Sequence, residues 1–266
     1  MFKRFREKYS YSIRKVSKIS HNLLQNYLEN LRNYLYDVIK DMIEKETYVN
    51  THRLANLDET PLVLEPISGT TLEKIGADNV KIRTFGKTKE RISFILHIFA
   101  NGKKAPPILV FKGEAESTLE KKLPEVKNKQ VYVVCQHNAW VDSNTFVKWL
   151  QLIWFRTYLF RKVEDSLFYF DRATSHLSDE IKDSFNQNKC FFRLIPPGLT
   201  SYCQPLDISI NKPFKDLIKQ KYRVFCISYQ NTKKPIPEYL IKWVVEVWWS
   251  VKFQKLLLKV PLKKQV

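Results

Sequence analysis

Five short apolar runs set the strongest limit on what this chain can fold into. They cover residues 92–100, 107–111, 131–134, 167–170 and 191–195. Runs of four to nine apolar residues suit buried β-strands better than helices, and segments such as NGKKAPP and PPGLTS punctuate several of the gaps. The runs therefore predict a β-sheet.

Helical patterns lie between and after these runs. One begins near Asp142 or Ser143, a second begins after Ser178, and a third follows Asp207. Asp and Ser are favoured N-caps, which supports the first two starting points. Pro213 falls in the first turn of the third helix, where a missing N–H costs little. Together the patterns predict an α/β domain, with a mixed sheet flanked by helices.

A longer pattern from Asn22 to about Glu46 repeats apolar residues in steps of three and four. This spacing is typical of an amphipathic helix. Its apolar stripe can pair with a second copy of the chain, which would give a homodimer, or it can pack on the chain's own domain. We expect the second arrangement, because about three heptads are marginal for a two-stranded coiled coil.

The chain is strongly basic, with 45 Lys and Arg, 27 Asp and Glu, and a formal net charge of +18. A surplus of this size indicates a polyanionic partner, and nucleic acid is the commonest one. Basic and aromatic residues are interleaved in 1–20, which predicts a helical segment lying on phosphates, although a solvated basic tail explains the composition equally well. The DNA-binding candidates in this segment are Lys3, Arg4, Arg6, Lys8, Arg14 and Lys15.

Targeting and redox signals are few. No apolar run approaches the length that spans a bilayer, and the first ten residues lack the apolar segment of a secretory signal. The four cysteines are far apart and form no CxxC pair. These features predict a reducing intracellular compartment, with no membrane partner, no disulfide framework and no zinc site.

Three aspartates are the candidates for chemistry. Asp171 ends an apolar run, Asp58 ends a short apolar stretch in LANLDET, and Asp207 precedes a predicted helix. Taken singly, the first two are equally well explained as turn-forming residues, and the position of the third by itself favours a helix N-cap. If they converge, they can hold two divalent cations, which activate a water molecule and stabilise the leaving oxygen of a phosphodiester.

Four motifs in order favour convergence: NLDETP at 56–61, VKIRTFGKTKERISFILHIFANGKKAPPILVFKG at 80–113, LFYFDRATSHLSDEI at 167–181 and IPPGLTSYCQPLDISINKPFKD at 195–216. With these motifs, over about residues 2–248, the chain resembles transposases of the pogo/Tigger and jerky type within the mariner superfamily. Their catalytic unit is a DDE endonuclease domain.

The resemblance implies an RNase H-like fold, preceded by a short basic helical segment and a long helix. It implies catalytic and metal-binding roles for Asp58, Asp171 and Asp207, with the first two on adjacent strands and the third on a following helix. The cofactor would be two Mg²⁺ or Mn²⁺ ions. His176 would lie beside the same three acids, where it either orients DNA or only closes a turn. Further DNA contacts are expected from Arg83, Lys112 and Lys212.

The resemblance also divides the chain. Residues 1–20 resemble only the end of a centromere-protein-B-like helix-turn-helix DNA-binding domain, so we expect an N-terminally truncated copy. Residues 21–50 form a linker helix and 51–230 the DDE endonuclease domain. Residues 231–266 form a helical tail whose end diverges from the family.

Two functions of different class stay open from the sequence. The first is a nuclear transposase-derived endonuclease that cleaves double-stranded DNA and transfers strands, either active or inactivated by truncation. The second is a domesticated nuclear DNA-binding or chromatin protein without catalysis. Intact Asp58, Asp171 and Asp207 favour the first, and the altered ends favour the second. A nuclease acting on RNA hybrids is disfavoured by the pogo-like motifs.

Overall fold

This computed structural model describes residues 27–47, 50–64, 90–113, 128–154, 166–171, 178–229 and 236–251, together with residues 126, 253 and 254. The predicted basic segment 1–20 and the first residues of the predicted long helix lie outside these ranges. None of the helices within them has both the length and the hydropathy of a membrane-spanning segment.

A six-stranded mixed sheet organises the described residues. Its strands are β1 (Leu54–Leu64), β2 (Glu90–Phe99), β3 (Ile108–Lys112), β4 (Tyr132–Gln136), β5 (Leu167–Asp171) and β6 (Phe191–Ile195). Their order is β4-β3-β2-β1-β5-β6, with β2 antiparallel to both of its neighbours and the other neighbouring pairs parallel. Each apolar run of the sequence is one of the strands β2 to β6, so the predicted mixed sheet is confirmed.

Strand β1 differs from its prediction. The sequence indicated a short apolar stretch that ends at Asp58, whereas β1 has 11 residues and Asp58 is the fifth. The physical reason is the antiparallel partner, because β2 pairs with β1 from Ala55 to Leu64 and supplies hydrogen bonds through its polar centre. Since β5 pairs with β1 only as far as Asn56, Pro61 lies beyond that partner, where a strand tolerates a missing N–H.

Six α-helices accompany the sheet in the described ranges: α1 (Tyr27–Glu44), α2 (Ser143–Trp149), α3 (Asp179–Gln187), α4 (Thr200–Cys203), α5 (Asn211–Ser228) and α6 (Pro237–Trp248). Two π-helical segments, Leu150–Trp154 and Leu206–Ile210, continue α2 and precede α5. Asp142 caps α2 as predicted, accepting a hydrogen bond from the Thr145 N–H at 2.8 Å. Ser178 precedes α3 without such a side-chain bond.

Each face of the sheet has its own apolar core. On one face, Trp248 of α6 meets Phe214 of α5 with 5.6 Å between ring centroids, and Phe214 packs on Phe94 of β2 at 5.4 Å. On the opposite face, Trp149 of α2 and Phe185 of α3 pack on β5. Large rings buried on both faces make the sheet the middle layer of three, as an α/β fold requires.

Helix α1 docks on the sheet through one side. Its buried Tyr34 packs in a cluster with Tyr169 of β5. Arg193 of β6 pairs with Asp37 of the helix at 3.1 Å and with Asp41 at 2.8 Å. The predicted packing of this helix on the chain's own domain is confirmed.

The neighbouring residues Trp248 and Trp249 test what α6 contributes to stability. Trp248 is fully buried, Trp249 is 40% exposed, and each indole N–H donates to one backbone carbonyl. We expect Trp248→Ala to lower the free energy of unfolding by about 3–5 kcal/mol, because it leaves a large cavity. Trp249→Ala should lower it by about 1–2 kcal/mol, since it loses one hydrogen bond and partial burial.

Urea titration of both variants measures the two losses. Because both indoles donate one hydrogen bond and Trp248 is the more buried and packs on Phe214, equal losses would contradict a core position for α6.

Candidate active site

Asp58 lies in the centre of the sheet, on the face covered by α5. The residue is 3% exposed. Gln204 Nε2 donates to its Oδ1 at 3.1 Å, and Asn211 Nδ2 donates to its Oδ2. Burying an ionised carboxylate is expensive, and hydrogen bonds from two neutral amides offset only part of the penalty. Added positive charge would therefore stabilise this carboxylate.

A network of amides fixes the base of the site. Asn56, two residues before the buried acid on the same face of β1, donates to the Tyr169 carbonyl of β5 at 2.8 Å. The same Asn56 nitrogen donates to Gln204 Oε1. The side-chain oxygen of Asn56 accepts from the Leu206 N–H at 3.3 Å. Gln204 also donates to the Leu57 carbonyl at 2.9 Å. These bonds hold β1, β5 and the segment before α5 together.

Asp207 stands in the first turn of the π-helical segment before α5 and is exposed. Asn211, the first residue of α5, donates to Asp207 Oδ1 at 2.9 Å as well as to Asp58. One amide group thus bridges two carboxylates from different elements. Helix capping, the alternative explanation of Asp207, is wrong, because Pro205 and Ile210 occupy the N-cap positions of the two helical segments.

Asp171 is the last residue of β5, which lies beside β1 in the sheet. The parallel register pairs Asn56 with Tyr169. Two residues further along each strand, the same register brings Asp58 level with Asp171, and strand alternation puts both side chains on one face. The charge of Asp171 is one of the causes that raise the pKa of Asp58. The first two acids lie on adjacent strands, as predicted.

Crowding and burial together perturb Asp58. Burial raises its pKa, and repulsion from Asp207 raises it further. The hydrogen bonds from Gln204 and Asn211 oppose these effects without cancelling them, so the pKa of Asp58 is about 8. Desolvation is thus the dominant cause of the raised pKa. The amide hydrogen bonds orient the carboxylate, but they do not bring its pKa back to the usual value.

A half-buried cation borders the acids. Lys215 of α5 donates from Nζ to Thr60 Oγ1 at 2.9 Å, and Thr60 lies two residues after Asp58 on the same face of β1. Burial lowers the pKa of Lys215, and the charges of Asp207 and Asp58 oppose that shift. The site therefore combines a buried carboxyl group with a positive group held at its edge.

The oxygen atoms of the site are of the kind that Mg²⁺ and Mn²⁺ prefer. Asp58, Asp171 and Asp207 offer carboxylates, and Asn211 Oδ1 is buried with no hydrogen-bond partner among the residues that the structure describes. A carboxylate oxygen that accepts one hydrogen bond keeps a further lone pair, so the amide bonds leave Asp58 able to ligate. In the described part of the chain, however, no three His, Cys, Asp or Glu side chains are grouped closely enough to hold an ion. The donors fit the predicted metals in type, and the three-carboxylate site stays a prediction.

The other predicted site residues do not join this cluster in the described structure. Lys112 is exposed at the end of β3. Lys212 is exposed at the start of α5, where it pairs with Asp216 at 2.8 Å. The remaining predicted residues lie outside the described ranges: His176, Arg83, Lys3, Arg4, Arg6, Lys8, Arg14 and Lys15.

Sequence reasoning missed the polar residues that support the acids. Gln204 stands in the third motif directly before Pro-Leu-Asp, yet its amide role was not foreseen. Asn211 carried a clearer signal, because it is a polar residue three positions before Phe214 and seven before Ile218, on the apolar face of a helix. A buried side-chain amide on the apolar face of a helix indicates a hydrogen-bond partner on another element.

A mixed sheet with acids on two adjacent strands and a third acid just before a covering helix defines an RNase H-like fold, as predicted. The crystal structure of the Mos1 strand transfer complex has a TM-score of 0.54 at 16% identity and covers 98% of this chain and 67% of that chain. The mariner Mos1 paired-end complex with Mg has a TM-score of 0.51 at 15% identity over 96% and 66%. These likenesses establish the fold.

The chain belongs to the DDE superfamily endonuclease family, which matches residues 89–257. Asp171 and Asp207 lie in the matched range, whereas Asp58 precedes it. Proteins of mouse and human named "Pogo transposable element with KRAB domain" are 24% and 25% identical over 257 residues, 94% of this chain. The chain spans 41% of the length of each. The resemblance to pogo/mariner-type transposases is thereby confirmed.

The raised pKa of Asp58 predicts a pH-dependent stability of the metal-free protein. Because the folded pKa is about 8, this carboxyl contributes fully below its unfolded pKa of about 4, and the contribution is lost as the pH rises through 8. Asp58→Asn removes the titration. In EDTA, the free energy of unfolding of the unmutated chain should fall relative to this variant by on the order of 5 kcal/mol between about pH 4 and pH 9.

Urea titration at a series of pH values measures this difference. Asp216→Asn, which changes an exposed carboxylate, is the control and should follow the unmutated chain at each pH. A pH-independent difference between Asp58→Asn and the unmutated chain would contradict the raised pKa.

Proposed function

We propose that this transposase-derived endonuclease domain binds double-stranded DNA in the nucleus and uses two Mg²⁺ or Mn²⁺ ions to cleave and transfer its phosphodiester bonds. The observation that carries the proposal is the single Asn211 amide that bridges Asp58 and Asp207, with Asp171 on the adjacent strand. The net charge of +18 supports a polyanionic substrate.

In this proposal Asp58, Asp171 and Asp207 hold the ions. Such ions, when bound, activate a water molecule and stabilise the leaving oxygen of the phosphodiester. Gln204 and Asn211 keep the carboxylates in place before any ion binds, which is the part of catalysis that this chain's own side chains supply. Sites on strands and helices hold their geometry better than sites on loops.

DNA contacts outside the acidic site are also part of the proposal. Lys112 and Lys212 are exposed and able to reach phosphates. The DNA contacts predicted for Arg83 and for the basic residues of 1–20 are part of the proposal as well. The Mos1 structures that share the fold are strand transfer and paired-end complexes, the second with Mg, and they support this choice of reaction and metal.

Metal titration tests the site directly. Mg²⁺ or Mn²⁺ at about a hundred times its dissociation constant should add about 2.7 kcal/mol to the free energy of unfolding of the unmutated chain. Asp58→Asn, Asp171→Asn and Asp207→Asn should each abolish this gain and any nicking of supercoiled plasmid, because each removes one ligand charge. Thermal melting with and without metal measures the first effect, and gel electrophoresis measures the second.

Asp179→Asn is the matched control, because Asp179 is an exposed acid on α3 that pairs with Lys182 at 2.7 Å. It should leave both the metal effect and nicking unchanged. If neither ion shifts the melting temperature of the unmutated chain while DNA binding persists, the alternative of a DNA-binding protein without catalysis replaces this proposal. Equal damage from Asp179→Asn and Asp171→Asn would also contradict it.

A further inference from the structure

We propose that one flank of α5, formed by Lys215, Lys219 and Arg223, is the surface along which a DNA strand runs to the acidic site. We name it the α5 basic flank. The inference deepens the proposed function and rests on it for the identity of the partner. It adds two residues, Lys219 and Arg223, that begin one turn beyond the site and that sequence reasoning did not assign to DNA.

The α5 basic flank starts at the acids. Lys215, Lys219 and Arg223 follow one another in steps of four residues, so they share one side of the helix. The Lys215 ammonium lies 2.9 Å from Thr60 Oγ1, next to Asp58 along β1. The flank therefore extends from the carboxylates outward along the helix axis.

The charges of the flank are available to a ligand. Helix α5 carries five basic residues and one acid, Asp216, which pairs with Lys212. Within the described residues, Lys219 and Arg223 have no carboxylate at ion-pair distance. Lys221 lies two positions from each of them, on a different side of the helix, and pairs with Glu246 of α6 at 2.5 Å. The Lys212–Asp216 pair lies beside the flank, with Asp216 three positions before Lys219, and among the described residues it leaves Lys219 and Arg223 without an ion pair of their own.

The length of the flank suits a nucleic-acid strand. Eight residues of helix rise about 12 Å. Phosphates of one strand of a duplex are spaced about 3.4 Å along its axis, so the flank faces roughly three to four of them. Because acids and phosphates repel each other, a substrate strand needs cations beside the acidic site. The flank places those cations in line with the site.

Two double variants of equal charge separate this surface from a general effect of net charge. Lys219→Gln with Arg223→Gln removes two charges from the α5 basic flank. Lys221→Gln with Lys242→Gln removes two charges from the other side, where Lys242 is exposed on α6. Fluorescence anisotropy in EDTA, with the full chain and a labelled duplex of random sequence, gives the affinity over a series of salt concentrations.

The flank variant should reduce the slope of log affinity against log salt by about 1.8, because each lost phosphate contact removes about 0.9. At about 0.1 M salt this corresponds to a loss of affinity of up to roughly 60-fold. The control variant should keep the slope and lose less than about threefold, since screening weakens distant charges. A charge-conserving variant, Lys219→Arg with Arg223→Lys, should bind like the unmutated chain.

Equal losses in the two double variants, or a flank variant with an unchanged slope, overturn the inference. Plasmid nicking with Mg²⁺ by the unmutated chain tests the proposed function separately. If the unmutated chain nicks plasmid but the two double variants bind DNA equally well, the flank is not the DNA-binding surface and the proposed reaction is unaffected. If the flank variant binds DNA more weakly than the control variant but the unmutated chain does not nick plasmid, the proposed reaction is wrong and the flank remains a DNA-binding surface.

Discussion

The burial of Asp58 is the constraint on which the rest of the site depends. A carboxylate in the middle of a sheet loses most of its water, and here its hydrogen-bond partners are the amides of Gln204 and Asn211. Neutral donors orient a carboxylate without neutralising it, so desolvation and the charge of Asp207 prevail and the pKa is raised. A site built in this way keeps a high affinity for added positive charge.

The shape of the sheet creates the place where these groups meet. Strand β5 ends at Asp171, whereas β1 continues to Leu64, so beyond Asp58 the side of β1 that faces β5 has no strand beside it in the described residues. The chain that follows β6 places Gln204 and the start of α5 against β1 where β5 has ended. The mixed strand directions matter, because β2 extends β1 through its polar centre while β5 brings Asp171 alongside.

Much of the fold was predictable because its elements carry local signals. Apolar runs located β2 to β6, and the Asp142 cap located the start of α2. Strand β1 was predicted too short because its centre, Asn-Leu-Asp-Glu-Thr, is polar, and a polar centre is stable there only through pairing with β2. Asp207 was equally misleading, since a residue before a helix resembles a cap until its real partner, the Asn211 side chain, is known.

The sequence by itself determined which residues could take part: the order of strands and helices along the chain, the excess of positive charge and the three acids in their motifs. Only the tertiary structure decided how they act on one another. The bond from Asn56 to Gln204 joins positions separated by 148 residues, and that from Asn211 to Asp58 joins positions separated by 153. Periodicity reports neighbours along the chain, whereas burial, repulsion and the pKa of Asp58 depend on groups that meet only when the sheet has formed.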